Sequence, residues 1–566
     1  MDNTQWVVFM TVVFAILIYM YIDTTRKTKI RITNMLINSW GKEPNKDQSY
    51  DDFENISHYF KGGEEDSNVV DDITWNDLDM DRIFMMMNNT HSSVGQEYLY
   101  KILRKPEKDS KQLLEGHRLA EFFRNHEKER MNVQRKYLRL GYASGISVTD
   151  YVDMITNLVP GKNAFHYLTN IIFLASILYC FLLNAQLGVL AIIAAMGLCI
   201  ISYYKQKSKV ERYFICVKHI VRMISCAYGL EELEIPELSE YNQKFKTLQK
   251  TFKSIVKNSF FLSSGAADGS ILEVALDYIR MMTHIDLVKF NHMVKKLNNH
   301  MDDIYALIET LGKIEAAIAI ASFRELIPYW TTPDLSKSEN LKVDVTDVYH
   351  PLISDPITNS MSANRSVLLT GSNASGKSTF LKTIAINAIL SQTIYTSPSN
   401  GYKANYYRIY SSMALQDDLG NSESYYIVEI KALKRILDIM DSDSTPVLCF
   451  VDELLRGTNT VERIAASSQI LYSFANRNVM AFAATHDIEL TTILEKYYSN
   501  YHFEEEVSDD DILFNYKLFK GRATSRNAIK LLGIIGYDKK IIQTSEKMAE
   551  AFSVEGKWGN IEGIET

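Results

Sequence analysis

An excess of positive charge is the first thing this chain lacks. Across 566 residues, 61 Lys and Arg face 69 Asp and Glu, a formal net charge of −8, so no global basic field marks the chain as a nucleic-acid binder. Cysteine is scarce as well. The five that occur (Cys180, Cys199, Cys216, Cys226 and Cys449) have no metal-type spacing, and two lie in long apolar segments. Neither a structural disulfide nor a zinc site is expected, and the thiols read as reduced core or lipid-facing residues in a cytoplasmic setting. No internal repeat is apparent. What remains is length, sufficient for two or more domains with ample buried core.

Long apolar runs are present. Trp6 to Ile22 is almost unbroken and is followed by Arg26, Lys27, Lys29 and Arg31. The run is about the minimum for a membrane span, and charge after it favours an uncleaved anchor with its N-terminus outside. A cleaved signal peptide, with the opposite charge order, is the alternative. Ala164 to Leu183 and Leu187 to Tyr204 form a second block, broken by Asn184-Ala185-Gln186 and followed by Lys205, Lys207 and Lys209. Such a block reads as a transmembrane hairpin, or alternatively as a buried hairpin of a soluble protein. Three crossings would leave residues 23–163 and 205–566 in the cytoplasm, at the inner membrane.

The chemistry-bearing residues lie further on. Gly371-Ser372-Asn373-Ala374-Ser375-Gly376-Lys377-Ser378 fits G-x-x-x-x-G-K-[ST], the phosphate-binding P-loop. Its glycines let backbone N–H groups face phosphate oxygens, Lys377 reaches the β- and γ-phosphates, and the Ser378 hydroxyl binds Mg²⁺. A strand-like run, Ser366 to Thr370, enters the loop, and a helix beginning with Thr379 leaves it, adding its N-terminal dipole to the anion site. Downstream, Val447 to Glu453 is an apolar strand ending in two carboxylates. Asp452 would hold Mg²⁺ and Glu453 would orient and deprotonate the attacking water. A third run, Val479 to His486, ends in a histidine that could sense the γ-phosphate. Each strand end alone could be a structural cap; in this order the three imply an ATPase using ATP and Mg²⁺.

The rest of the chain is read more coarsely. The expected organisation is an anchor (1–22), a polar linker (23–71), a helical core in two parts (72–160 and 205–342) around the hairpin (164–204), an α/β domain (343–555) and a tail (556–566). Lys246, Lys250, Lys253 and Lys257 share one helix face, and Phe245, Leu248, Phe252 and Ile255 another. The basic face could meet phosphate backbones or anionic lipid, or could simply be solvated. A late hairpin is expected around the acidic turn Glu504-Glu505-Glu506 to Asp509-Asp510-Asp511, whose carboxylates look solvated.

Shorter matches occur in a fixed order. They are Tyr349-His350-Pro351, Gly371-Ser372-Asn373, and Asp417-Asp418-Leu419 with Ser424 and Val428-Glu429. Asp452 to Thr460 with its Arg-Gly-Thr extension, Ala484-Thr485-His486-Asp487, and Tyr516-Lys517-Leu518 with Gly521-Arg522-Ala523 and Ser525 complete the series. Together they resemble the MutS family of DNA mismatch-repair ATPases, a branch of the ABC-type ATPases. Asp72-Ile73-Thr74-Trp75-Asn76-Asp77-Leu78, Ser92-Ser93-Val94-Gly95 and Leu103-Arg104-Lys105-Pro106 resemble the start of that family's helical core.

The resemblance implies an α/β P-loop (ABC-type) ATPase domain plus an all-α lever, here with three predicted transmembrane helices. It implies a homodimer with composite ATP sites, in which Ser424 acts on the partner's nucleotide. Gly371 to Thr379 and Ser424 would bind nucleotide, Ser378 and Asp452 the metal, with Glu453 and His486 catalytic. DNA, mismatched or branched, would be gripped by the helical arms. The alternative is a same-fold ATPase that works on a membrane or protein partner without DNA, and an ABC transporter half fits poorly. Departures matter to that choice. A membrane anchor stands where the family has a soluble wedge domain, Tyr425-Tyr426 replaces the usual Thr-Phe, and no nuclease-like extension is read after residue 555. Phe323-Arg324-Glu325 matches the wedge's Phe-x-Glu by coincidence only.

Overall fold

The computed structural model describes residues 3–45, 50–63, 68–143, 145–258, 271–372, 375–413, 425–440, 444–507, 512–523 and 528–558. They form two compact units. One comprises Met1–Glu64, Met85–Lys101 and Gly116–Leu326; the other comprises Glu65–Phe84, Ile102–Glu115 and Ile327–Thr566.

The first unit is helical. Among the described residues, two helices are long and apolar enough to cross a bilayer, Ala164–Leu182 and Ala185–Glu231. The sequence predicts three. The run Trp6–Ile22 is the first part of a helix, Asn3–Ser39, and leaves Phe9, Phe14, Ile18 and Ile22 exposed; it sits at the lower bound of span length. The hairpin turns at Asn184, whose side chain accepts from the Leu187 amide (3.0 Å), satisfying an otherwise orphaned helix-end donor. At Gly188 a Cβ would lie 2.2 Å from Cys180 Cα, so the two helices close on a glycine.

The second hairpin helix does not stop at Tyr204. It runs 47 residues to Glu231, because no proline or cap interrupts it and the first glycine after Tyr204 is Gly229. Its apolar surface is exposed near Leu187, Leu190 and Ile193 and buried from Cys216 through Leu230. One element therefore carries both the candidate span and part of the helical core. In helix Ser239–Asn258, Phe245, Leu248, Phe252 and Ile255 are buried while Lys246, Lys250, Lys253 and Lys257 are exposed. Phe323 is 1% exposed in helix Met301–Leu326 and the Arg324 guanidinium pairs with Glu121 at 2.9 Å. A wedge needs an accessible ring, and the ring of Phe323 is in the core.

The second unit is α/β, with ten strands among the described residues: β1 (Asp334–Ser336), β2 (Val343–Val348), β3 (Asn359–Ala363), β4 (Val367–Thr370), β5 (Gly401–Asn405), β6 (Arg408–Ser412), β7 (Val447–Asp452), β8 (Val479–Ala484), β9 (Ser499–Val507) and β10 (Ile512–Lys520). Six build the order β10-β9-β4-β8-β7-β6, parallel except for the β9–β10 hairpin. The other four form a separate sheet, β1-β5-β2-β3, which the sequence did not announce. β4, β7 and β8 are buried along their whole length, as expected of central parallel strands covered on both faces. Helices Lys377–Thr393, Tyr425–Ile439 and Thr460–Ala475 follow β4, the end of β6 and β7 respectively.

Candidate functional site

Register brings the motifs together. Leu369 of β4 and Asp452 of β7 both pair with Ala484 of β8, so three motif-bearing strands end at one level. Open parallel sheets bind ligands at such carboxyl ends. The loop after β4 needs its glycines. Gly371 has φ 143°, and a Cβ there would lie 2.8 Å from Phe503 O; Gly376 has φ 104°, with the Tyr516 ring 3.2 Å from a Cβ position. Gly376 precedes helix Lys377–Thr393, whose second and third residues, Ser378 and Thr379, are exposed.

Lys377 is 5% exposed and folds back on its own loop. Its Nζ donates to Gly371 O (2.9 Å) and Ser372 O (2.7 Å). The ammonium is thereby held where anionic oxygens would compete for it. Its 3.5 Å approach to His486 Nε2 is a contact and not a hydrogen bond, since that nitrogen stands 2.9 Å from Glu453 Oε1 and gives its proton there.

Glu453 is clamped. Besides His486, Arg456 Nε reaches its Oε2 at 2.6 Å. The His486 hydrogen bond, against the cost of burial and aided by Arg456, holds the carboxyl below the usual range. Its backbone has φ 52° and Leu455 has φ 57°, two left-handed non-glycine residues within one turn, each a costly conformation that surroundings must enforce. The Glu453 amide donates to Ala484 O (2.9 Å), and the Leu455 amide donates to the buried Glu429 carboxylate. Tyr426 packs on Gly457, where a Cβ would stand 3.1 Å from its own Cβ. The helix Tyr425–Ile439 thus braces the turn after β7.

Asp452 is 9% exposed. Burial raises its carboxyl pKa, the Ser378 hydroxyl bond lowers it, and neighbouring Glu453 adds to the rise. Its Oδ1 has no hydrogen-bond partner among the described residues. A buried carboxylate with one bare oxygen beside a serine hydroxyl fits a hard divalent cation, which would restore the solvation lost on burial. The residues present therefore fit Mg²⁺.

A cavity of about 350 Å³ adjoins the loop at Gly376 and Thr379, lined by His350, Ile353, Pro356, Ile357, Phe380 and Tyr516 among others. Burial, with Lys382 and Arg82 nearby, pulls the His350 pKa down to about 4, so its imidazole is neutral near pH 7. Arg463 closes the His486 loop by a two-point bond to Asp487, Nε at 2.9 Å and Nη2 at 2.6 Å.

Of the residues singled out from sequence, Gly371, Ser372, Ser375, Gly376, Lys377, Ser378, Thr379, Asp452, Glu453 and His486 converge on these strand ends. Asn373, Ala374, Asp417, Asp418, Leu419, Ser424, Asp509, Asp510, Asp511 and Ser525 lie outside the described residues. Glu429, Arg456, Arg463, Asp487 and the cavity were not read as site features. Val428-Glu429 and Arg456 stood inside quoted motifs, so a question about what supports the turn after Asp452 would have found them.

Residues 367–553 match the family model for MutS domain V. The chain is 24% identical over 523 residues to the DNA mismatch repair protein MutS of Thermosipho melanesiensis, covering 83% of this chain and 62% of that one. It is 24% identical over 274 residues to that of Methanosarcina mazei, covering 46% of this chain and 30% of the relative. Against that of Leptospira interrogans it is 27% identical over 288 residues, covering 48% and 33%. The chain thus spans under two thirds of these relatives' lengths. Residues 367–553, which hold the strand ends just described, thus match MutS domain V, and the chain is similar to DNA mismatch repair proteins MutS over most of its length.

Proposed function

We propose that this protein is a membrane-anchored, Mg²⁺-dependent ATPase of the MutS type that turns over as a homodimer and couples hydrolysis to binding of mismatched or branched DNA. One observation carries the enzymatic part: Lys377, the Ser378–Asp452 pair and the Glu453–His486 pair sit on three adjacent strand ends. Bound Mg²⁺, held by Ser378 and Asp452, would neutralise phosphate charge. Lys377 exchanges loop carbonyls for phosphate oxygens. The neutral His350 and the apolar walls of the adjoining cavity suit a nucleobase, which that volume accommodates.

Glu453 accepts the water proton. Gripped by both His486 and Arg456 it is ionised but weakly basic, so turnover requires that one partner leave it. Arg456, 42% exposed on its side chain, is the partner with room to move. Ser424 of each protomer completes the other's site. Lysines on the exposed face of helix Ser239–Asn258 would supply phosphate contacts to DNA.

Two apolar helices and a net charge of −8 favour a second reading, the same ATPase working on a membrane or protein partner. The test is steady-state ATPase activity of detergent-purified protein with no DNA, homoduplex, mismatched duplex and branched DNA, with Glu453→Gln as blank. Stimulation by one DNA form, weakening steeply with salt, supports DNA. A rate indifferent to all four with a clean blank transfers the partner to the membrane or a protein. Lys377→Ala is expected to lose nucleotide binding, whereas Glu453→Gln keeps it and accumulates an ATP-loaded dimer. Normal hydrolysis by Glu453→Gln would remove Glu453 as base.

A further inference from the structure

Among the described residues, β6 is the edge of the six-stranded sheet, with β7 as its one strand neighbour. An edge strand presents amides and carbonyls that need partners. At its C-terminal end those partners come from far upstream in the chain. Asp77, 2% exposed, accepts from the Ser411 hydroxyl (2.6 Å) and the Met413 amide (2.9 Å) through Oδ2. Thr74 Oγ1 accepts from the Ser411 amide (3.0 Å). Ser411 O accepts from Arg435 Nη2 (2.6 Å), and Arg435 Nη1 is ion-paired to Asp71 at 2.7 Å. Asp71 in turn caps the short helix Asp72–Asp77 through the Thr74 amide (2.8 Å). Amides two residues apart on a strand point the same way, so Thr74 and Asp77 take the places a further strand would have filled.

The position matters because of register. Ser412, the last residue of β6, pairs with Val451, the residue before Asp452, so the two strands end at the same level. The carboxylate that holds the end of β6 thus stands one strand away from the proposed metal carboxylate. A few residues after Asp77, the chain passes into the helical unit at Met85.

We propose that Asp77 is a positioning residue for ATP turnover, holding the C-terminal end of β6, and through it the Asp452 end of β7, in the geometry that hydrolysis requires. This rests on the ATPase reading above. Asp77 touches no nucleotide; removing its carboxylate frees the Met413 amide and Ser411 hydroxyl and lets the strand end drift. Binding by the loop after β4 is untouched, so the loss falls on kcat and not on nucleotide affinity.

The test compares full-length wild type, Asp77→Ala, Asp77→Asn, Ser411→Ala and the Asp77→Ala/Ser411→Ala double variant in detergent. Readouts are kcat and KM for Mg-ATP, Kd for fluorescent ADP, and thermal unfolding. Asp77→Ala is expected to lower kcat about ten- to a hundredfold, the scale of a misplaced reacting geometry, with Kd changed less than about twofold. Ser411→Ala loses less, and the double variant is no worse than Asp77→Ala alone, because the two share one hydrogen bond. Asp77→Asn, which keeps an acceptor oxygen, recovers part of the rate. Wild-type kcat in Asp77→Ala, or a loss no greater than the unfolded fraction, overturns the proposal. Should Asp77→Ala not fold, wild-type kcat in both Asp77→Asn and Ser411→Ala overturns it equally. Wild-type protein no faster than the Glu453→Gln blank would instead sink the ATPase reading, and that failure shows before any Asp77 variant is made.

Discussion

The strand ends around Asp452 and the hairpin base around His284 both bury polar groups, and they treat them in opposite ways. At the hairpin base, His284 Nε2 stands 3.0 Å from Cys199 O and its Nδ1 stands 3.0 Å from His166 Nδ1. Asp286 accepts from the Tyr203 hydroxyl (2.8 Å) and the Leu287 amide (2.9 Å), with Lys207 at 4.0 Å. His284 and Asp286 are thus answered from within the fold, while the neighbouring Asn170 donates to Thr283 O and keeps its own Oδ1 without a partner among the described residues. At the strand ends, Asp452 Oδ1 is left without a partner among the described residues and Lys377 settles on its own loop's carbonyls. A buried polar group that is satisfied internally stabilises the fold it belongs to; one left bare is poised for something that arrives.

Exchanging an acid in each region tests this contrast most strongly. Asp452→Ala should lower Mg²⁺-dependent turnover by at least about a hundredfold, given that metal charge stabilisation is worth several kcal/mol. Its nucleotide-free thermal unfolding should be unchanged or shifted upward, because a desolvated, half-paired carboxylate is gone. Asp286→Ala should do the reverse and destabilise by about 1–3 kcal/mol, stranding the Tyr203 hydroxyl, as read from chemical unfolding in matched detergent. Equal stability losses in the two variants would erase the distinction.

Packing at the hairpin gives the next effect. Gly188→Leu would force apart two helices that now meet with Cys180 against the glycine, costing about 1–3 kcal/mol by overpacking. Faster protease cleavage near Asn184 is the readout, with ATPase activity less affected than by Asp452→Ala.

The smallest effect is a pH dependence. Glu453's folded pKa lies below its unfolded value, so its contribution to stability is present above the ordinary carboxylate range and lost as pH falls through the depressed value. Wild type should therefore lose stability relative to Glu453→Gln on acidification below about pH 4.5. The difference should stay under about 1 kcal/mol because Glu453 and Arg456 are partly solvated. Parallel curves for the two proteins across that window would show that Glu453 is not held as described.

Much of the site was legible because its chemistry is written in contiguous residues. A glycine loop between a strand and a helix, and acids or a histidine at the ends of apolar runs, are local patterns whose geometry follows from local backbone. The buried stripe of helix Ser239–Asn258 was legible for the same reason, since its period is its own. The continuation of the hairpin helix to Glu231 was not, because a shift from apolar to charged composition looks like a boundary even where no residue breaks the helix. The brace of Glu429 on the Leu455 amide and the grip of Asp77 on β6 were also out of reach. Each joins segments that approach only after the sheet has formed.

By itself, the amino-acid sequence determined the phosphate loop, the order of strand ends, the apolar hairpin and the likeness to MutS domain V, all of which depend on residue type at short spacing. Tertiary structure alone decided which strands lie side by side, that Asp452 keeps a bare oxygen while Asp286 does not, and that an upstream helix completes the open edge of β6. Those outcomes turn on register and on which buried donors meet which acceptors, and neither exists until distant segments have packed.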